Sequence, residues 1–422
     1  MAELFKARGW EIGGEEDVSD AYVVNTCTVT ALSDRKSRQY IRRMKRLNPQ
    51  AAVIVMGCYP QTRPEALASM EEADVIIGTE GKERAPELAE EFLKTRERKL
   101  LTSGGRPESR EYTDHQAIFG SESRTRALIK IEEGCDRFCS YCVIPYARGL
   151  VRSRPLESIV SEARGLVEAG YKEIVLSGIN TALYGSERPD VSVSGIDGVI
   201  EAISALPGDF RIRIGSLEPT VVNAEYVKKL FGYDKLCHHL HLSVQSGSDR
   251  VLKAMNRHYS AAEYLDIVRV LREFDPLYGI TTDIIAGFPG ESEEDFEQTL
   301  ELAEKAGYLH IHGFPYSVRP FTKAAEMEGQ LPPHVKKERN ARLGELSEKL
   351  SLEFRKSMEG SFQRVLTEER VSVDGREYIK GHASNYCPVY IPAEAAITDN
   401  EFIDVRAGEP IADGVAGIIV RT

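Results

Sequence analysis

Several things that would settle the class of this protein at once are missing from its sequence. No apolar run approaches the roughly 18 residues needed to cross a bilayer. The opening stretch, MAELFKARGWEIGGEED, turns polar and acidic with no signal-peptide core. A helical membrane protein is excluded, no membrane partner is expected, and a cytoplasmic location is the expectation. Positive charge is also short: 54 Lys and Arg stand against 66 Asp and Glu, a net of -12. That rules out a uniformly basic nucleic-acid coat, so any nucleic-acid contact must come from a local patch. The chain has no long repeat and no low-complexity tract. Cysteine is scarce and odd in number, seven in 422 residues, which argues against a disulfide framework. What remains is an ordinary globular balance, 42% hydrophobic and 28% charged. At about 150 residues per domain, the length suggests roughly two to four domains.

The pattern is α/β. Residues 1–98 alternate strands and helices: AYVVNTCTVT (21–30), AAVIVMGCY (51–59) and ADVIIG (73–78) read as strands, with a basic helix over 33–47. Cys27 and Cys58 fall at the carboxyl ends of the first two strands, the edge where open parallel sheets bind ligands. Residues 99–123 are rich in Gly, Ser and charge and read as a linker. A second unit, 124–357, offers six candidate strands at 127–133, 173–178, 211–216, 239–244, 281–287 and 309–314, separated by helical patterns and closed by a charged helix over 334–357. Six β/α units make an incomplete barrel, whose strand ends would host the site. Residues 358–422 change to short alternating strands and suggest a small OB-like β-barrel.

The most informative segment is EGCDRFCSYCVIPYARG, residues 133–149. Its Cys135-x3-Cys139-x2-Cys142 spacing puts three soft thiolates on one short loop, which suits an iron-sulfur cluster or zinc. Three thiolates can hold three irons of a 4Fe-4S cluster and leave the fourth open to a ligand. Zinc would need a fourth ligand, and none of the nine histidines lies nearby in sequence.

This loop, with Tyr141 in the aromatic place, resembles that of the radical S-adenosylmethionine enzymes. The resemblance implies that the open iron chelates S-adenosylmethionine and that an electron cleaves it to a 5′-deoxyadenosyl radical. Taken with NTCTVT, MGCYPQ and the small terminal β domain, nearly the whole chain is similar to the methylthiotransferases, which replace a C–H with a C–SCH3 group. In that family the N-terminal domain holds a second 4Fe-4S cluster, here with Cys27 and Cys58, and the terminal TRAM module binds RNA. IPYARGLVRSRP, HLSVQSGSDRVLKAMNRHYS and ITTDIIAGFPGE most resemble the MtaB type, which modifies N6-threonylcarbamoyladenosine at C2, at tRNA position 37. The MiaB type, acting on isopentenyladenosine, and the RimO type, acting on a ribosomal-protein aspartate, are the relatives. The implied domains are a methylthiotransferase domain (1–98), a linker (99–123), a radical core (124–357) and a TRAM-like domain (358–422). The implied partners are a tRNA anticodon stem-loop, an electron donor such as flavodoxin or ferredoxin, and a sulfur donor. The family has a third cysteine for the second cluster, on a strand that would precede Met1, so the expectation is a second cluster short of one ligand.

By the same resemblance Tyr141, Ser177, Gly178, Gly215, Glu218 and Gln245 are cofactor contacts. AGFPGE (286–291) would supply a turn near the adenine, and Phe321 stands where the family usually has Gly. For RNA the best local signal is 35–46, RKSRQYIRRMKR, seven basic residues in twelve without an acid. Its Arg42, Arg43, Lys45 and Arg46 are candidate phosphate contacts, as are Arg148, Arg152 and Arg154 after the cysteine loop. Phe362, Tyr378 and Tyr386 are candidates to stack on bases. A one-cluster radical enzyme without sulfur insertion and a zinc-stabilised RNA-binding protein are the competing readings.

Overall fold

The computed structural model describes residues 1–422 apart from 103, 110, 114–124, 189–194, 220–221, 394–396 and 421–422. Residues 114–123 of the expected linker therefore lie outside the described residues. The chain divides into two compact units. One comprises Met1–Arg110, Gly134–Leu150 and Ser317–Glu326, and the other Glu111–Glu133, Val151–Tyr316 and Met327–Thr422.

The first unit is built on a parallel sheet of β1 (Ala21–Thr26), β2 (Ala52–Gly57), β3 (Val75–Ile77) and β4 (Lys99–Leu100), in that order. Every residue of β2 is buried, as expected of an inner parallel strand with both faces covered. Alternation sends Val53 and Val55 to a core shared with Ile41 and Met44, and Ile54 and Met56 to a second core shared with Leu88 and Phe92. The basic helix runs Ala31–Leu47. Its start is fixed by Thr30, whose hydroxyl accepts from Ser33 N.

The second unit contains β5 (Arg126–Lys130), β6 (Glu132–Glu133), β7 (Arg152–Ser153), β8 (Glu173–Ser177), β9 (Arg211–Ile214), β10 (Ser216–Leu217), β11 (His239–Leu242), β12 (Gly279–Ala286) and β13 (His310–Pro315). Parallel pairing gives β5-β8-β9 and β10-β11-β12-β13, with only Gly215 between β9 and β10. All six expected strands are present. Those expected at 127–133 and 211–216 are each split, at Ile131 and at Gly215. Leu240, Leu242, Ile280, Ile284 and Ile311 bury one face of the sheet against helical Tyr264, Phe296 and Leu343.

The helix Pro333–Ser357 then leads to β14 (Phe362–Val373), β15 (Arg376–His382), β16 (Pro388–Pro392), β17 (Phe402–Ile411) and β18 (Gly414–Ile419). These close into a five-stranded barrel in the order β14-β15-β16-β18-β17, the small β-barrel expected from the sequence. The turn between β15 and β16 sits at the amino ends of the core strands. There Arg211 and Arg213 donate to the carbonyls of His382 and Ser384, at 3.1 and 3.3 Å.

Candidate active site

Three cysteines leave the end of β6 on a constrained loop. Gly134 has φ +84°, and a Cβ there would collide with the Leu150 carbonyl, so only glycine fits. Cys135 N donates to Gly149 O at 3.1 Å, and Cys142 N to Cys139 O at 2.9 Å. Phe138, between the first two cysteines, takes the left-handed conformation at φ +48° and packs edge-on against Tyr146. Ser140 O accepts from Ala324 N at 2.7 Å, tying the loop to the 317–326 segment of the same unit. Among the described residues no three His, Cys, Asp or Glu groups converge as the ligands of one metal ion. A four-iron cluster asks for a different arrangement, one thiolate per iron corner.

Cys27 and Cys58 come together by register. Thr26 pairs with Gly57 at the ends of the parallel strands β1 and β2, so the two cysteines follow adjacent strand ends. Gly57, at φ +108°, lets β2 approach Thr26; a Cβ would lie 2.6 Å from its carbonyl oxygen. Cys27 is exposed and Cys58 buried. Burial pushes the Cys58 thiol up, and Arg148, whose Nε donates to Sγ at 3.0 Å, opposes that rise. Next to Cys27, Thr28 and the buried Asp34 accept from Arg319 at 2.7 and 2.6 Å. That buried pair links two segments far apart in sequence, and no local pattern announces it.

The second unit carries the other candidate residues at strand carboxyl ends. Ser177 Oγ donates to Ile129 O at 3.3 Å. A Cβ on Gly178 would collide with the Glu132 carboxylate, so the turn after β8 is built around that side chain. Glu132 Oε1 accepts from Asn180 N at 2.6 Å. Asn180 Nδ2 donates to Glu218 Oε2 at 2.8 Å, and Arg257 holds Glu218 Oε1 at 2.8 Å. Among the described residues Glu132 Oε2 and Asn180 Oδ1 are buried without a hydrogen-bond partner. Burial pushes the Glu132 carboxyl up to about 8, against backbone hydrogen bonds from Asn180 and Ile179. Two buried polar atoms left unmet at one turn suit a polar ligand. Gln245, after β11, is held at φ +66°.

The candidate RNA contacts are placed less openly than their sequence suggests. Arg152 and Arg154 are buried, and Arg154 pairs with Glu162, so neither offers its charge to a phosphate in this structure. On the basic helix Arg43 pairs with Glu15 and Glu16, and Lys45 holds the buried Asp74 at 2.7 Å. Arg42 and Arg46 are exposed; Arg42 meets Glu72 only at 3.6 Å. Arg38, Arg42 and Arg63 line a cleft of about 650 Å³ beside Tyr59. Tyr386 is engaged by the Arg213 guanidinium, 4.6 Å from its ring centre, and stacked on His382. Tyr378 meets Tyr390 edge-on, whereas Phe362 is 67% exposed with Arg406 above it.

Comparison with known proteins fixes the family. Residues 129–303 match the Radical SAM superfamily, and residues 1–78 match the Uncharacterized protein family UPF0004. The chain is 39% identical over 379 residues to the threonylcarbamoyladenosine tRNA methylthiotransferase MtaB of Aquifex aeolicus, covering 90% of this chain and 91% of that one. It belongs to the radical S-adenosylmethionine tRNA methylthiotransferases. The Bacillus subtilis protein of the same name is 38% identical, over 92% of this chain and 85% of its own. The tRNA-2-methylthio-N(6)-dimethylallyladenosine synthase of Carboxydothermus hydrogenoformans is 36% identical, over 89% and 85%. Among solved structures, the radical S-adenosylmethionine methyltransferase TsrM from Kitasatospora setae, with tryptophan and aza-SAM bound, superposes with a TM-score of 0.54. At 16% identity, over 84% of this chain and 68% of that one, it speaks for the fold alone.

Membership in this methylthiotransferase family carries a 4Fe-4S cluster and S-adenosylmethionine and sets aside the non-enzyme reading. Among the described residues no helix is long and apolar enough to cross a membrane. Phe321 sits at φ +68°, the region that favours the glycine expected at that position, and is 61% exposed. Sequence reasoning missed Glu132, Asn180 and Arg319. Of these only Asn180 has a sequence signal, standing two residues beyond the Ser177-Gly178 turn.

Proposed function

We propose that this methylthiotransferase acts at C2 of N6-threonylcarbamoyladenosine at tRNA position 37. The observation that carries the reading is the set of four relatives named for that substrate, at 35–39% identity, against 34–36% for four named for dimethylallyladenosine. Cys135, Cys139 and Cys142 hold the cluster that binds S-adenosylmethionine. Bound together and given one electron by the external donor, these would supply the radical that opens an unactivated C–H bond. Tyr141, Ser177, Gly178, Gly215, Glu218 and Gln245 position the cofactor; Glu218 can do so because Arg257 and Asn180 fix both of its oxygens. Cys27 and Cys58 are ligands of a second cluster that handles sulfur, a role supported by their adjacent strand ends and by the Arg148 hydrogen bond to Cys58. Domain limits near 98, 123 and 357 organise these parts. The tRNA anticodon stem-loop binds through Arg42 and Arg46, and a flavodoxin or ferredoxin and a sulfur donor complete the reaction.

Two measurements test this. Mass spectrometry of nucleosides from anaerobic reactions should show 2-methylthio-N6-threonylcarbamoyladenosine; product only from dimethylallyladenosine would overturn the substrate assignment. Iron analysis should give about eight irons per chain for two clusters, and about four would remove the second cluster.

A further inference from the structure

Four of the nine histidines stand on two strands of the second unit, as His239-x-His241 on β11 and His310-x-His312 on β13. Period-two alternation puts all four on one face, together with Ser243 and with Thr281 and Asp283 of the intervening β12. The register confirms the layout: His241 and His310 both pair with Thr281, and His312 pairs with Asp283. The opposite face, with Leu240, Leu242, Ile280, Ile284 and Ile311, is the one packed on helices. The imidazoles therefore occupy the face that a β/α barrel turns inward.

Hydrogen bonds order the inner part of this face. Thr281 Oγ1 lies 3.0 Å from both His239 Nε2 and His241 Nδ1. His241 Nε2 meets Asp283 Oδ2 at 3.2 Å, and Ser243 donates to the same oxygen at 2.9 Å. Burial raises Asp283, but the His241 and Ser243 contacts outweigh it and hold the carboxyl below its usual range. Both nitrogens of His241 are thus engaged, which is not how a metal ligand is left. His310 and His312 are exposed; their rings meet each other at 4.5 Å, and His312 meets His241 at 5.8 Å. Partial burial and neighbouring imidazoles push both below the usual histidine range. A neutral imidazole offers one donor and one acceptor.

We propose that this face reads the substituent on N6 of the target adenosine, with His310 and His312 as the contacts and His241, Ser243 and Asp283 behind them, and that it selects threonylcarbamoyl over dimethylallyl. The inference rests on the substrate reading given above and adds the residues that would enforce it. A threonylcarbamoyl group carries amide N–H, carbonyl, hydroxyl and carboxylate groups, which can meet imidazole N–H, imidazole N and the Asp283 oxygen. A dimethylallyl group carries no polar atom and would strip these side chains of water with nothing in return. Sites built to hydrogen-bond a group discriminate strongly against an analogue that lacks it.

The test uses the reconstituted full chain and two anticodon stem-loops that differ only in the N6 group. Affinity is read by fluorescence anisotropy and product by mass spectrometry. Wild type should prefer the threonylcarbamoyl stem-loop. The pair His310→Leu with His312→Leu should lose about tenfold or more of that preference, through weaker binding of the threonylcarbamoyl form. The pair His310→Asn with His312→Asn should recover most of it. Undiminished preference in the Leu pair would overturn the proposal and leave the substrate reading standing. Equal loss in the Leu and Asn pairs would also overturn it, since polarity would not be what is read. A wild type that prefers dimethylallyl would instead overturn the substrate reading.

Discussion

At the amino ends of the core strands Glu173 is enclosed by Arg126, Arg211 and Arg213, with contacts of 2.6, 2.6 and 3.0 Å. At the carboxyl ends Glu132 is equally buried, yet one of its oxygens and one of Asn180's have no partner among the described residues. The same residue type is treated in opposite ways at β6 and at the start of β8. Three guanidiniums outweigh the burial of Glu173 and hold its carboxyl well below the usual range, while burial dominates at Glu132 and raises it. Where guanidiniums surround the carboxylate, the structure is locked, and the terminal barrel is anchored there through Arg126 to Glu368 and Arg211 to His382. Where buried polar atoms are left unmet, it is prepared for a ligand. The difference separates a stabilising end from a working end.

The largest effect should come from the loop that leaves β6. Changing Cys135, Cys139 or Cys142 to Ala should abolish reductive cleavage of S-adenosylmethionine, because the cluster loses a ligand. Chromatography for 5′-deoxyadenosine checks it, and product from any of the three variants at wild-type yield would remove the loop from the chemistry.

Next comes the locked end. Glu173→Gln leaves the buried guanidiniums of Arg211 and Arg213 facing a neutral group and should cost about 3–5 kcal/mol. A urea midpoint within error of wild type would show that the arginines find other partners and that this end is no anchor.

The working end gives a smaller, pH-dependent effect. Glu132 titrates near 4.5 when unfolded and near 8 when folded. Between those values the folded protein keeps a proton that the unfolded chain has lost. Wild-type stability should therefore fall as pH rises through the window, by at most about 1.4 kcal/mol per pH unit. Glu132→Gln carries no such loss, so its urea midpoint should gain on wild type across the window. A constant difference would contradict the raised carboxyl.

Much of this is legible in the sequence, for reasons that also mark where legibility stops. Alternation of apolar runs with helical patterns gives β1–β3 and the six core strands because burial of one face dictates that spacing. The cysteine loop is legible because its ligands are neighbours in sequence. Glu132 is not, since in IEEG it reads as a polar rim; the break at Ile131 separates β5 from β6 and turns the side chain inward. The histidine face shows in sequence only as HLHLSV and LHIHGF, strands with a polar side, because pairing across β12 is a tertiary fact. The arginines of the basic helix look uniform for the same reason: Glu15, Glu16, Glu72 and Asp74 lie far from them in sequence.

The basic helix accordingly yields the smallest expected effect and the finest division. Arg42 and Arg46 are exposed, and a 3.6 Å surface contact to Glu72 is worth little, so both charges are available to phosphates. Arg42→Gln with Arg46→Gln should weaken tRNA binding several-fold and lower the magnitude of the salt slope by about 0.7–0.9 for each phosphate no longer neutralised. Lys45 belongs to the other class. Its ammonium donates to Asp74 at 2.7 Å, and that buried carboxylate also accepts from Val53 N at 2.8 Å inside the sheet. Lys45→Gln should therefore cost about 1–3 kcal/mol of stability and leave the salt slope alone. Binding isotherms at several salt concentrations, set beside urea curves for both variants, separate the two. A Lys45 variant that changes the slope and not the midpoint would place its charge on the RNA and break the division between residues that hold the fold and residues that meet the substrate.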